Sequence, residues 1–293
     1  MQRILVLTIA MFSASFLSLH AQEFSGGFRA GLNFVTFDGP FETAADGTEL
    51  EDFGSSTNFH IGAIANLKFT DIFSLRGELL YSQKGGIINF NGPSYWQFRP
   101  VSGADPIIAA ADRSLAIEVT NSYIDIPISA VARLGRFEFS AGASVGFLVS
   151  SGGDGRLNFE NISASGEQVD PFEVTLDIDY RDLGRVGLDL NDSELREINN
   201  QDVAIPSLLS TEHPLLENSG NYFETIDIGL IGGIAYYLNQ GLFLGLRLNY
   251  GMTDITNQER DASRQELNAD GSYLLRDDDD RNVNLQLSVG FSF

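Results

Sequence analysis

The sequence contains no cysteine, lysine only at Lys68 and Lys84, a single tryptophan and, beyond its N-terminal segment, no long apolar run. Without cysteine there is neither a lipoprotein anchor nor a disulfide framework, so any exposed loop relies on packing and hydrogen bonds. The scarcity of lysine and a net charge of −22 make nucleic acid a poor partner, because that binding needs clustered Lys and Arg. A membrane-crossing helix needs about 18 or more unbroken apolar residues. Only Ile4 to Leu19 approaches this, and Ser13, Ser15 and Ser18 interrupt it. With Arg3 before it and the small residue Ala21 after it, this segment reads as a secretory signal peptide over residues 1–21. The mature domain is then 22–293, with no transmembrane helix expected in it.

What is present is period-two alternation. From Val283 to Phe293 the odd positions are Val, Leu, Leu, Val, Phe and Phe, and the even ones are Asn, Gln, Ser, Gly and Ser. One face of such a strand meets an apolar medium and the other a polar one. A tilted strand of about ten residues crosses a bilayer, and lipid accepts strands only in a sheet closed on itself, usually with an even strand count. A composition 43% hydrophobic, with 30 glycines and a mean hydropathy of −0.03, is poor for a helical bundle and ordinary for a barrel.

The same alternation recurs at Phe24–Phe34, Thr57–Phe69, Phe73–Tyr81, Leu115–Val131, Phe137–Val149, Tyr222–Tyr237 and Leu242–Tyr250. In the fourth of the eight strands the apolar residues change phase, from Ile117 and Val119 to Ile124, Ile126 and Ile128. A bulge near Asn121 and Ser122 would reconcile them, and Pro127 calls for a strand end or an irregularity. Thr36–Ser56, Gly85–Ser114, Ser150–Asn221 and Met252–Arg281 read as long connections that alternate with short turns and carry most of the 40 carboxylates. Such asymmetry is that of an outer-membrane barrel with long external loops and both termini periplasmic. Within the third connection, Phe172 to Tyr180 alternates again. It reads as a hairpin extending the wall into water, the alternative being a membrane hairpin that makes ten strands. The expected fold is therefore all-β, a closed eight-stranded antiparallel transmembrane barrel.

Tyr250-Gly-Met-Thr-Asp-Ile255, Tyr123-Ile-Asp-Ile-Pro127, Phe139 to Gly146 and Asp227-Ile-Gly-Leu-Ile-Gly-Gly233 resemble the PorT-like outer-membrane β-barrel family of Bacteroidetes. The resemblance implies an eight-stranded barrel in the outer membrane. The family's founding member is an accessory to gingipain secretion through the type IX system, while most members have no assigned role. This chain departs from the family pattern in its very long acidic third loop, so only architecture and location are carried over.

The inward faces supply Arg29, His60, Lys68, Arg76, Glu78, Asp125, Glu138, Asp227 and Arg247. An eight-stranded lumen is only wide enough for side chains to fill it, so these charges are expected to pair across it as a polar core, with a narrow solute channel as the rival. A lipid-modifying or proteolytic barrel enzyme would need a base beside a reachable nucleophile. The mature chain offers His60 and His213. Gly142-Ala-Ser-Val-Gly146 matches the nucleophile-elbow string but lies mid-strand without the strand-to-helix turn that exposes the serine. Ser151 to Gly155 reads as flexible loop. The run Asp277 to Asp280 has the ligand type calcium favours, but lacks the spaced order of a helical calcium loop and reads as a solvated segment. The sequence thus points to a non-enzymatic outer-membrane barrel with no cofactor and no metal, structural or accessory in role. Its expected partners are outer-membrane lipid and lipopolysaccharide, the barrel-assembly machinery during insertion, and other envelope proteins.

Overall fold

The computed structural model describes residues 23–181, 193–211 and 220–293, so the expected signal peptide and His213 lie outside the described residues. The chain forms β1 (Glu23–Asp38), β2 (Glu51–Gly54), β3 (Ser56–Lys68), β4 (Phe73–Pro100), β5 (Ile107–Leu134) and β6 (Phe137–Ala164). The third connection holds β7 (Glu167–Val169), β8 (Phe172–Asp179), β9 (Ser193–Ile198), β10 (Gln201–Pro206) and β11 (Leu208–Leu209). Then come β12 (Ile226–Tyr237), β13 (Leu242–Gly251), β14 (Ala262–Leu267), β15 (Tyr273–Leu275) and β16 (Arg281–Ser292).

Eight of these strands close an antiparallel ring in the order β1, β3, β4, β5, β6, β12, β13, β16 and back to β1. Alternation places one residue set outward. Leu79, Leu230 and Leu246 are 56%, 55% and 42% exposed, a surface that only a lipid solvent accommodates. Phe24, Phe69, Phe73, Phe137 and Phe293 stand exposed around the short-turn rim, an aromatic girdle of the kind found at a membrane interface.

Three strands run far beyond the ring. β4, β5 and β6 have 28 residues each, roughly 90 Å at about 3.3 Å per residue. A tilted crossing of a hydrocarbon core about 30 Å thick uses less than half of that. The expected connection Gly85–Ser114 is therefore mostly strand, with β4 and β5 paired out to Phe98 and Ile107. Ser151 to Gly155 is likewise β6 wall rather than flexible loop. A Cβ at Gly153 would lie 2.6 Å from the Tyr180 ring, so close packing calls for glycine there. β8 pairs with the extended part of β6, Asn158 opposite Glu173 and Gly152 opposite Asp179, and so widens the wall above the ring; the ring itself has eight strands.

The phase change in β5 has a different origin from the expected bulge. Odd residues from Leu115 through Tyr123 and Asp125 to Val131 face inward throughout. What changes is the environment. Ile117 and Val119 point inward into an apolar core, and Ile126 and Ile128 point outward. The register shift between Ser122 and Tyr123 pairs these residues with Ser150 and Leu148, leaving Val149 of β6 as the extra residue. Pro127 stays mid-strand, and the β4–β5 register passes from Gly77–Ile128 to Leu80–Asp125 without a shift.

Above this level the inner faces become apolar and build a cap. Its core gathers Phe37, Leu50, Phe90, Phe98, Ile117, Leu157, Phe159, Val174, Ile205 and Ile255, among others. Trp96 packs on Phe159 and Phe172 at ring separations of 4.9 and 5.5 Å. The β9–β10 hairpin joins at Arg99 and Pro100, and Tyr95 donates to the carbonyl of Ser263 at 2.7 Å beside β14. Leu157 is fully buried here. Leu157→Ala is expected to cost the cap about 2–5 kcal/mol, raising hydrogen exchange of β6 amides beyond Ser151 while those of Glu138 to Phe147 keep their protection. Equal loss along the whole strand would show that cap and ring are one cooperative unit.

Candidate functional site

The lumen is the most chemically specific region of the ring, because every element contributes inward polar residues at its alternate positions. They meet in three tiers. Nearest the short turns, Arg76 makes a two-pronged contact with Glu138, Nη1 to Oε1 at 2.6 Å and Nη2 to Oε2 at 2.9 Å. Arg76 Nε also donates to Asn66 Oδ1 at 2.7 Å, and the Tyr237 hydroxyl donates to Glu138 at 2.9 Å. In the middle tier Glu78 accepts from Arg29 at 3.3 Å and from Arg247 at 3.0 Å. Arg29 reaches on to Ser288 Oγ at 2.5 Å, and Arg247 Nε to Gln286 at 2.7 Å.

The upper tier is organised by Lys84. Its ammonium bridges Asp125 and Asp227, both at 2.9 Å, and lies 4.6 Å from the centre of the Tyr123 ring. Asn282 adds a donor to Asp227 at 3.1 Å. Lys84 is 1% exposed, so its charge is compatible with the fold only because it is paired twice. Sequence reading left Lys84 at the edge of a supposed connection, although its parity with Arg76, Glu78 and Ser82 marks it as an inward residue of β4.

Across the three tiers four cations, Arg29, Arg76, Arg247 and Lys84, face four carboxylates, Glu78, Glu138, Asp125 and Asp227. All eight are at least nine-tenths buried. Net neutrality and direct pairing leave a packed polar core. Below it a vestibule of about 620 Å³ opens at the short-turn end, floored by Arg76, Glu138 and Tyr237. Lys68, expected among the charges paired across the lumen, instead sits on the vestibule's rim beside Glu23 and Asp71, its side chain 42% exposed where the strand reaches its end.

His60 completes a line of hydrogen bonds with an enzyme-like outline. Its Nε2 is 2.9 Å from Ser288 Oγ and its Nδ1 is 2.7 Å from Asn33 Oδ1. Serine, histidine and asparagine are in the order of a nucleophile, a base and an orienting group. Yet the three residues are 1%, 1% and 0% exposed, and Ser288 is also held by Arg29. A substrate has no approach to this serine in the fold described, which fits a satisfied interior histidine. Ser144 of the Gly-x-Ser-x-Gly string lies within unbroken β6, 2% exposed and 3.4 Å from Asn249 Oδ1.

Residues 20–257 match the family described as outer membrane protein beta-barrel domain. No curated protein matches the sequence at a significant level. Among solved structures, Ail, the attachment invasion locus protein of Yersinia pestis, aligns at 8% identity over 92% of this chain and 99% of its own, with a TM-score of 0.33. Neisserial surface protein A aligns at 12% identity over 92% and 99%, TM-score 0.31. OprG from Pseudomonas aeruginosa aligns at 11% identity over 93% and 97%, TM-score 0.33.

Lys84→Met is expected to leave Asp125 and Asp227 as unpaired buried charges and to cost about 3–5 kcal/mol, measured by denaturant unfolding in detergent. Combining it with Asp125→Asn and Asp227→Asn is expected to restore most of the loss. A single substitution costing under about 1 kcal/mol would mean that water reaches the tier.

Proposed function

The chain belongs to the outer membrane protein beta-barrel domain family, and on that premise we propose that it is a non-enzymatic, non-conducting barrel that presents its cap at the cell surface in a structural or accessory role. The observation that carries this reading is the filled lumen: three tiers of paired charge that are neutral in sum beneath a continuous apolar cap core. A ring built to conduct has an open, wetted lumen; here the inward side chains are spent on each other. In this reading the short turns and both termini are periplasmic and the extended β4, β5 and β6 stand outside. The finer assignment to the PorT-like barrels of Bacteroidetes rests on the sequence resemblance, and the accessory role, in secretion or envelope assembly, on the large cap that the ring presents. Outer-membrane lipid and lipopolysaccharide surround the ring, and other envelope proteins meet the cap.

The hairpin tip at Ser165 and Gly166, both with positive φ, is a suitable place for an epitope tag. A tag there is expected to be antibody-accessible on intact cells; an inaccessible tag would reverse the proposed orientation. Planar-bilayer recordings of the purified protein are expected to show no discrete conductance steps, and regular steps would establish the solute-channel reading instead. The line Ser288–His60–Asn33 favours one second reading, a lipid-modifying or proteolytic barrel. A fluorophosphonate probe is expected to leave the folded protein unlabelled; labelling lost in Ser288→Ala and His60→Ala would favour the enzyme.

A further inference from the structure

At the cap, the last long connection folds back on itself so that the residue before β14 meets those after β15. The carboxylates of Asp261, Asp278 and Asp280 each bring an oxygen within 4.8 Å of the others, the spacing of oxygens around one ion bound at about 2.3–2.6 Å. Their internal bonding is incomplete. Asp261 is 2% exposed; its Oδ1 accepts the Tyr222 hydroxyl at 3.1 Å, whereas its buried Oδ2 accepts no hydrogen bond, Arg276 Nε standing off at 3.8 Å. Asp280 Oδ2 accepts from Thr256 at 3.1 Å, and its Oδ1 is also buried without a hydrogen bond. Two orphaned carboxylate oxygens in one cluster are an expensive arrangement.

Charge bookkeeping points the same way. Arg264 and Arg276 both bond Glu51, at 2.6 and 3.1 Å, and Arg276 also contacts Asp278. Within this constellation four carboxylates face two guanidiniums, an excess of two negative charges.

We propose that Asp261, Asp278 and Asp280 form a binding site for one divalent cation, calcium, that latches the β14–β15 hairpin onto the cap. Oxygen-only ligands with no histidine or cysteine select a hard cation, and irregular carboxylates suit calcium's flexible coordination better than the strict octahedron of magnesium. The ion neutralises the excess charge and gives both orphaned oxygens a partner. Through Tyr222, Arg276 and Glu51 the latch joins the last connection to the segment leading into β12 and to β2. This inference concerns the cap alone and does not depend on the orientation or conductance proposed above.

The test is calorimetric titration of calcium chloride into the full-length protein, folded in detergent and freed of metal with a chelator. The expected result is saturable binding of one ion per chain with a dissociation constant of about 10⁻⁴–10⁻³ M, together with slower proteolysis within residues 252–281. Asp278→Asn, which keeps the side chain's size and a carbonyl oxygen while removing its charge, is expected to weaken binding about tenfold or more. Asp270→Asn, at an exposed hairpin turn of the same connection, is expected to leave it unchanged. Hydrogen-exchange protection of β16 confirms that each variant retains the ring. No saturable binding up to about 10 mM calcium, or equal binding by wild type and Asp278→Asn, would overturn the proposal and leave a carboxylate cluster held by shared protons.

Discussion

A backbone inside hydrocarbon has no water to bond, so every N–H and C=O there needs a partner in the protein. Closure of the ring through β1 and β16, from Gly27 opposite Ser292 to Asp38 opposite Arg281, satisfies that demand, and much else follows from it. Eight strands make a narrow lumen. A narrow lumen is filled by the inward side chains themselves, and charges so confined cost several kcal/mol each unless they meet a counter-charge. The doubly paired Glu78, the doubly paired Lys84 and the fork between Arg76 and Glu138 are consequences of ring size as much as of sequence.

The ring was readable from alternation because each of its strands faces one pair of environments along its crossing. Val283 to Phe293, Leu242 to Tyr250 and Phe137 to Phe147 needed nothing more than period two. The cap was less legible for a physical reason. Where β4, β5 and β6 leave the lipid, the apolar side chains move from the outer face to the inner one, so Ile117 and Ile126 have opposite parity in one straight strand. Read with a single rule, such a strand looks broken. The same assumption ended β4 too early and hid Lys84, the residue that organises the upper tier. The meeting of Asp261 with Asp278 and Asp280 was beyond reach, because no local pattern shows that a hairpin will return its two ends to one place.

The cap also answers the absence of disulfides. Its connections share a single apolar core to which β2, β8, β10 and the segments around Phe223 and Ile255 all contribute, and aromatic contacts such as Trp96 with Phe159 pin distant parts together. Packing of this kind opens locally more easily than a closed hydrogen-bonded ring, which makes the cap the adaptable part of the molecule and the ring its fixed base. Since the lumen charges cancel, the net charge of −22 resides outside the tiers, much of it on and around the cap.

The inversion of faces along β4, β5 and β6 has a mechanical corollary. Lys84 pairs with Asn121, and Asn121 with Ser151, so the change occurs at one height around this part of the wall. Just above it Glu118 and Asp154 stand opposite each other, facing out; just below it, Ile124 and Phe147 do. Sinking by a few ångströms would drag two carboxylates into hydrocarbon, and rising by as much would strip lipid from the apolar band. The molecule is thus restrained in depth from both directions, and a bilayer of unsuitable thickness has to deform to meet it.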